Sequence, residues 1–221
     1  ILHDLKNPLS SVTLALDKLA RAPAIEADAR LRRDVERAQH GSQRLLALLM
    51  NLLDVSRLET AELPMVPSRA DARQALEEVY RDAEPRTHAK GVSLRLELPA
   101  APVMVRADWS LVRRALDNLL DNALRHANRS VALCLRSKPE TVEFEVQDDG
   151  PGVGRELRPR IFDKFVRAES ASAGGGSLNQ GLGLTLVKLV ARKHGGDVSL
   201  EDSAAPGATF RFVLPRTPVS R

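Results

Sequence analysis

The sequence predicts an α+β fold in which an N-terminal helical hairpin is followed by an α/β sandwich domain. Over the first sixty residues, apolar side chains recur at every third or fourth position, which is typical of amphipathic helices. From Asp71 onward, segments with this helical spacing alternate with short segments in which every second residue is apolar, as in half-buried strands. A chain of 221 residues is long enough for one small and one medium domain.

The hairpin is predicted over residues 1–60, with a break at Ala22-Pro23-Ala24 between its helices. Its apolar stripe comprises Leu5, Leu9, Val12, Leu16 and Leu19 in the first helix, and Val35, Ala38, Ser42, Leu45, Leu49 and Leu52 in the second. One hairpin cannot bury both stripes, so we expect two copies to form a homodimer as a four-helix bundle. The alternative is that the hairpin packs onto its own C-terminal domain.

Residues 61–70 are predicted to be a linker, because Pro64 and Pro67 interrupt a stretch without periodicity. The C-terminal domain is predicted over residues 71–221, with one sheet covered on one face by helices. We expect helices over about 71–83, from an N-cap at Asp108 to about 127, and over 182–194. Strands are expected over 92–98, 103–105, 130–136, 141–147, 197–200 and 208–214, the last two forming a hairpin.

Composition excludes several classes of protein. The net charge is +4, but aromatic residues make up only 3 % of the chain and do not alternate with arginine or lysine, so no nucleic-acid partner is expected. The single cysteine, Cys134, lies in a strand-like segment and is expected to be a core residue. No signal peptide and no apolar stretch of about 20 residues is found, so we expect a cytoplasmic portion, with a membrane anchor upstream left open.

The long predicted helix carries a cluster of polar residues on one face or its edge. Asn118 lies one turn before Asn122, and Arg125 and His126 lie one turn after it. A carboxamide oxygen is a suitable ligand for Mg²⁺ when phosphate oxygens and water complete the coordination. Asn122 is therefore the candidate metal ligand, and its neighbours are candidates for nucleotide contacts. The alternative is an ordinary solvent-exposed helix face.

Two glycine-rich segments follow. Asp148 ends a strand and precedes Gly150, Gly152 and Gly154. Its carboxylate can select adenine by accepting a hydrogen bond from the exocyclic amine, and glycines allow positive φ and a close approach of the backbone to the ring. Downstream, Gly181-Leu182-Gly183-Leu184 opens a helix whose N–H groups can face a phosphate. Each motif alone is weak, because such glycines usually mark turns.

A further segment, Ile161 to Arg167, lies between the two glycine motifs. Residues 168–180 include three consecutive glycines, which is typical of a loop that can close over a bound nucleotide.

At the other end of the chain, His3 is followed by Asp4 and, one helical turn on, by Asn7 before Pro8. A neutral imidazole can attack a phosphoryl group, and a neighbouring carboxylate can orient its ring.

Four of these segments, taken in chain order, closely resemble those of the sensor histidine kinases of two-component signalling. They are His3–Leu9, Asn118–Asn122, Asp148–Gly154 and Gly181–Leu184, and the resemblance extends from Ile1 to about Pro215. The resemblance implies ATP and Mg²⁺ as ligands and His3 as the phosphoacceptor, with Asp4 assisting and Asn7 orienting a water for a phosphatase reaction. It also implies a response regulator receiver domain as partner. For the segment from Ile161 to Arg167, it implies that Phe162 and Phe165 pack the base of a lid and that Arg167 reaches a terminal phosphate. The family often has lysine at Arg125 and an aromatic residue at His126. Because only two residues precede His3, an upstream sensor region and part of the bundle are expected to be missing.

The predicted function is ATP-dependent autophosphorylation of His3 followed by transfer to an aspartate of a response regulator. Two alternatives stay open. The first is a water-hydrolysing ATPase of the same fold, which Asn118 disfavours, because related gyrase-type and chaperone ATPases usually carry a glutamate there. The second is a regulatory scaffold that binds a response regulator without catalysis.

Overall fold

The computed structural model describes residues 2–23, 25, 28–60, 64–166, 181–201 and 206–216. Within these, the side chains of residues 2–6, 44, 47 and 48 are not described. The hairpin is formed by helices α1 (Leu2–Ala20) and α2 (Ala29–Glu59). Two polar contacts fix its register: Thr13 and Ser42 share a hydroxyl hydrogen bond of 2.7 Å, and Gln39 donates to Asp17 at 2.8 Å. The predicted helical hairpin is confirmed.

The two ends of the hairpin differ in how much apolar surface they bury. Val12, Leu19 and Leu45 are each about half exposed, at 50 %, 51 % and 46 %. At the other end, Val55 and Leu58 of α2 are buried and belong to the same core as the C-terminal domain. Both expectations for the hairpin therefore have support in this chain: one end packs onto its own C-terminal domain, and the other leaves an apolar stripe uncovered.

The predicted linker was wrong at its C-terminal end. Strand β1 (Ser68–Asp71) lies partly inside it and pairs antiparallel with β3 (Met104–Ala107), forming a small second sheet where one sheet was predicted. The indole N–H of Trp109 donates to the carbonyl of Ser68 at 3.0 Å and anchors this strand. Four residues following two prolines give too short a pattern for periodicity to reveal.

The next helix is longer than predicted. Helix α3 (Ala72–Lys90) was expected to end near Ala83, but it continues through Pro85 to a left-handed Gly91 with φ of 65°. The N–H of Gly91 bonds back to the last turn, as glycine commonly does after a helix C-terminus. The buried positions Ala83 and Thr87 continue the apolar face, so tertiary packing stabilises the helix across the proline.

The main sheet of the described residues has five strands in the order β2-β4-β5-β7-β6. These strands are β2 (Ser93–Glu97), β4 (Ser130–Ser137), β5 (Thr141–Asp148), β6 (Asp197–Leu200) and β7 (Ala208–Pro215). Only β2 and β4 pair in parallel, and β6 and β7 form the predicted antiparallel pair. The predicted α+β fold is confirmed.

One face of this sheet is covered by α3, α4 (Trp109–His126) and α5 (Gly183–Lys193). The core between the layers is built on the fully buried Phe144, Phe210, Phe212, Leu119 and Leu186. The opposite face carries ion pairs, such as Arg211 with Glu145 at 3.1 Å. In the described part of the chain, no helix combines the length and the apolar character needed to cross a bilayer.

Candidate functional site

Helix α4 carries the polar cluster that the sequence singled out. As predicted, Asp108 caps its N-terminus by accepting from the backbone N–H groups of Ser110 and Leu111, each at 3.2 Å. Asn118 and Asn122 are half-buried. The Asn118 amide group donates to the carbonyl of Arg114 at 2.8 Å, which leaves its oxygen pointing away from its own helix.

The start of α5 lies directly against Asn118. A methyl group on Gly183 would lie 2.7 Å from the Asn118 side-chain oxygen, so a larger residue would displace the Asn118 side chain. Nearby Gly181 has a φ of 68° and its carbonyl accepts from the Thr185 hydroxyl at 3.1 Å. Among the described residues, no side chain caps the N-terminus of α5, so N–H groups of its first turn can face an anion. Leu184 packs against the core, which leaves only its backbone to face a ligand.

Asp148 is buried at the end of β5, with 2 % of its surface exposed. Its Oδ1 atom accepts from the N–H of Gly150 at 2.9 Å. Burial raises the pKa of this carboxyl, and the Gly150 bond and the charge of His126 offset part of the shift. A buried acceptor at a strand end is the group that the adenine prediction requires.

The glycines after Asp148 differ from their prediction in conformation. Of the three, only Gly152 has a positive φ, of 75°, and a methyl group there would lie 2.8 Å from the carbonyl oxygen of Gly207. Gly150 needs no unusual φ, but a side chain would collide with the carbonyl of His126. Gly154 has open space around it, so we find no steric requirement for glycine there.

Sequence analysis missed two residues that build this edge of the site. Gly207, with φ of 119°, lies so close to the Asp148 carbonyl that a side chain would collide with it. Asp149 accepts from the N–H groups of Asn128 at 2.9 Å and Arg129 at 3.0 Å, which ties the end of α4 to the Asp148 loop. These bonds lower the pKa of Asp149 to about 2. The Pro206-Gly207 turn signal could have identified the first; Asp149 carried no signal separate from Asp148.

The C-terminal turn of α4 carries Arg125 and His126, both exposed at their surface. Desolvation of the ring, followed by the charge of Arg125, lowers the pKa of His126, while Asp148 opposes the shift. His126 therefore favours the neutral form at pH 7. His126 and Asp148 influence each other's pKa, and a neutral His126 ring would suit an uncharged aromatic ligand near Asp148.

The two phenylalanines expected at the base of the lid differ in burial. Phe162 packs edge-on against Phe210, with ring centroids 6.2 Å apart, and Lys188 lies over its ring. Phe165, in contrast, is 59 % exposed among the described residues and has a φ of 64°. Its N–H donates to the carbonyl of Gly181 at 3.3 Å, and this bond to the glycine motif fixes the turn. Arg167 and the predicted lid, 168–180, lie outside the described residues.

The donor set fits a magnesium–nucleotide pair better than a metal alone. Among the described residues, no group of three or more histidine, cysteine, aspartate or glutamate side chains could hold an ion. Asn122 offers a single carboxamide oxygen, so a metal there would need phosphate oxygens and water, as Mg²⁺ commonly does. The buried carboxylate of Asp148 provides a hydrogen-bond acceptor for a base.

The predicted acceptor segment lies in the first turns of α1. The side chains of His3 and Asp4 are outside the description, and Asn7 is exposed. Because the two helices run antiparallel, ten residues back along α1 correspond to ten residues forward along α2. Counting from the Thr13–Ser42 contact therefore places position 3 beside about position 52. The acceptor therefore lies at the same end of the hairpin that packs onto the C-terminal domain.

Three polar contacts join that end of α2 to the nucleotide-site elements, and the sequence predicted none of them. Asn51 donates to the Asn118 oxygen at 3.2 Å, and Lys164 pairs with Glu59 at 2.7 Å. The third is an ion pair between Asp54 and Arg114. Asp54 is buried, so the pair is largely withdrawn from solvent. Contacts between residues this far apart in the chain leave no periodic signal.

Two family matches cover most of the chain. Residues 1–61 match the family described as "His Kinase A (phospho-acceptor) domain". Residues 107–218 match the family described as "Histidine kinase-, DNA gyrase B-, and HSP90-like ATPase". The second match alone spans half of the chain, and it contains α4, the Asp148 loop and α5.

Individual proteins agree with these families. The chain is 30 % identical over 98 % of its length to "Hybrid signal transduction histidine kinase D" of Dictyostelium discoideum, and 29 % identical over 96 % to "Alginate biosynthesis sensor protein KinB" of Pseudomonas aeruginosa. It spans only 14 % and 35 % of those proteins.

Solved structures extend the agreement to three dimensions. Full-length ShkA in complex with AMPPNP superposes with a TM-score of 0.77 at 27 % identity, over 100 % of this chain and 45 % of that one. The mycobacterial sensor histidine kinase MprB gives 0.59 at 30 % identity, over 69 % of this chain and 100 % of that one. With both family matches and this fold together, the chain belongs to the sensor histidine kinases of two-component systems.

Proposed function

We propose that this chain transfers the γ-phosphoryl group of ATP to His3 and then to an aspartate of a response regulator receiver domain. The observation that carries the proposal is that α1 and α4 lie beside the same part of α2. The first turn of α1, with His3, lies level with about position 52, and α4 contacts Asn51 through Asn118. Donor and acceptor elements thus lie at one end of the hairpin.

The nucleotide would be held by three parts of the C-terminal domain. Asp148 would accept from the exocyclic amine of adenine, which guanine lacks at that position. N–H groups at Gly183 and Leu184 would face the phosphates, with Arg125 and Arg167 as further phosphate contacts. Mg²⁺ held by Asn122 and phosphate oxygens would neutralise phosphate charge. The solved ShkA complex contains AMPPNP, an ATP analogue, which supports a nucleotide in this site.

The chemistry needs one nucleophile and one orienting group. A neutral His3 nitrogen attacks the γ-phosphorus, the N–P bond forms, and ADP leaves with the electron pair of the broken P–O bond. Asp4 orients the ring through its other N–H and stabilises the positive charge that develops. Asn118 carries a carboxamide, which is a poor base for activating water, so attack by water is slow. The bound nucleotide therefore persists until His3 reaches it.

The proposal includes phosphatase activity and a homodimer. Asn7 lies on the same face of α1 as His3, about 6 Å along the axis. Its carboxamide can orient a water towards a phosphoaspartate without repelling the phosphate.

The half-exposed Val12, Leu19 and Leu45 would be covered by the second hairpin of a four-helix bundle in the proposed homodimer. Light scattering at several protein concentrations tests for the dimer.

Incubation with γ-labelled ATP and Mg²⁺ tests the function. We expect label on the protein that is stable in base and lost in acid, which is typical of phosphohistidine, and transfer of that label to a receiver domain. Rapid release of free phosphate without labelled protein would favour the water-hydrolysing ATPase. Neither product, despite a folded protein, would favour the scaffold.

A further inference from the structure

His194 makes a buried hydrogen bond that does not belong to the site described above. It follows α5 directly and is 9 % exposed. Its Nε2 atom lies 2.9 Å from the backbone nitrogen of Asp108, and its Nδ1 atom lies 2.8 Å from the carbonyl oxygen of Val190. Because a backbone N–H can only donate, Nε2 must be the acceptor and Nδ1 must carry the proton. The ring is therefore neutral, with both nitrogens paired.

This bond lies at one end of an antiparallel helix pair whose other end is the nucleotide site. Helix α5 runs from Gly183, beside Asn118, to His194, beside Asp108. The two spans are matched in length, about 16 Å along α5 and about 15 Å along α4. The packing of Gly183 against Asn118 sets the relative position of the helices at the site, and the His194 bond sets it at the far end.

Asp108 is held firmly enough to serve as the fixed partner. One oxygen of its carboxylate accepts from the first turn of α4, and the other accepts from the N–H of Val66 at 2.9 Å. Both carboxylate oxygens of Asp108 already accept hydrogen bonds, and its backbone N–H donates to His194. Without an acceptor on residue 194, this N–H would be a buried donor with no partner.

We propose that His194 is a positioning residue for nucleotide binding, acting through the axial register of α5 on α4. The proposal rests on the proposed ATP site. If the bond is lost, α5 can slide along α4, and the N–H groups at Gly183 move relative to Asn122, which α4 carries. Displacements of about 1 Å are enough to weaken a site built from fixed groups. No contact between His194 and the nucleotide is required.

The protonation state of His194 gives the proposal a second readout. Among the described residues, the charge that acts on the ring is the Asp108 carboxylate, which favours the proton, but burial outweighs it and lowers the pKa. The neutral acceptor form is therefore the one present at pH 7. As the pH falls from the ordinary histidine pKa of 6.5 through the lowered value, the ring gains a proton and Nε2 can no longer accept.

The test compares His194→Phe, which keeps a ring without nitrogens, with His194→Gln, which keeps an acceptor near the Nε2 position. His88→Phe changes an exposed histidine of α3 and is the matched control. Calorimetric titration with Mg·ATP should give a Kd raised about five- to tenfold in His194→Phe and within about twofold of wild type in the other two. Circular dichroism checks that each variant is folded.

Two results would overturn the positioning role: a folded His194→Phe protein with the wild-type Kd, or a decline of affinity below pH 6.5 that is identical in wild type and His194→Gln. The second comparison decides the question even if His194→Phe does not fold, because His126 and Asp148 titrate in both proteins. Wild-type protein that does not bind Mg·ATP would refute the proposed function instead.

Discussion

The side-chain oxygen of Asn118 accepts a hydrogen bond from the Nδ2 atom of Asn51, at 3.2 Å, across 67 positions of the chain. One partner belongs to the helical hairpin and the other to the helix that carries the candidate metal ligand. The docked end of α2 is therefore in direct contact with the nucleotide site. Movement of the C-terminal domain towards a different acceptor position would have to break this bond and the ion pair beside it.

The ion pair between Asp54 and Arg114 should contribute measurably to this docking. Asp54→Ala leaves a partly buried guanidinium without its partner, and we expect a loss of about 2 kcal/mol of unfolding free energy. Thermal and urea unfolding of Asp54→Ala, Arg114→Ala and the double variant should give a coupling energy between the two residues of at least about 1 kcal/mol. Asp34→Ala removes an exposed pair and is the control. A coupling near zero would contradict a docked α2 in solution.

His3→Ala should abolish incorporation of label from γ-labelled ATP while leaving the Kd for Mg·ATP unchanged. The proposed acceptor lies on α1, whereas the proposed nucleotide contacts belong to α4, α5 and the loop after β5, so the variant should remove the nucleophile only. His40→Ala changes an exposed histidine of α2 and should label like wild type. A labelled His3→Ala protein would show that another residue accepts the phosphoryl group.

Asp148→Asn should weaken ATP binding by about 1–3 kcal/mol, because the adenine amine would face a group that can itself donate. The same change should stabilise the unliganded protein at pH 7. Burial raises the pKa of Asp148, so the cost of ionising it is absent below the ordinary value of 3.8 and fully present above the raised value. Calorimetric titration and thermal unfolding measure the two effects, with Asp197→Asn on exposed β6 as control.

Nucleotide selectivity gives this prediction an independent check. GTP should compete poorly with ATP for the wild-type protein, because guanine presents a carbonyl where adenine presents an amine. Equal affinity for the two purines would remove Asp148 from the adenine-binding role.

Asn7→Ala should keep autophosphorylation and lose phosphatase activity towards a phosphorylated receiver domain. Asp4→Asn should chiefly slow autophosphorylation. The reason is that the carboxylate orients the nucleophile, whereas the carboxamide orients water. Both reactions can be followed on one gel, the second with ADP present. Full phosphatase activity in Asn7→Ala would leave Asn7 only a polar residue ahead of Pro8.

Local signals explain which elements could be predicted from sequence. Asp108 was identifiable as a cap because a short acceptor precedes an apolar-periodic run, and the helix begins at the next residue. The end of α3 is hard to predict locally, because Pro85 is a residue type that usually interrupts a helix, yet α3 continues through it to Gly91. Strand β1 has four residues, too few for a period to be measured.

The residues of the candidate site also divide into those that local sequence motifs identify and those that only the structure reveals. Asp148, Gly152 and Gly183 lie within short motifs, and each has a close structural neighbour that accounts for its identity. Partners from distant segments, such as Asn51 for Asn118 and Gly207 for the Asp148 loop, depend on how the chain folds back on itself. Periodicity and motif spacing describe only neighbours along the chain, so these contacts required the structure.

The close approach of main-chain atoms around Gly150, Gly152 and Gly207 bears on how the site could be inhibited. At each of these positions a side chain would meet a carbonyl group of another segment, so the wall beside Asp148 is made of backbone. A compound that competes with ATP by bonding to these peptide groups would contact atoms that no codon change removes. Resistance would then have to arise elsewhere, at side chains near the site such as His126 or through increased expression.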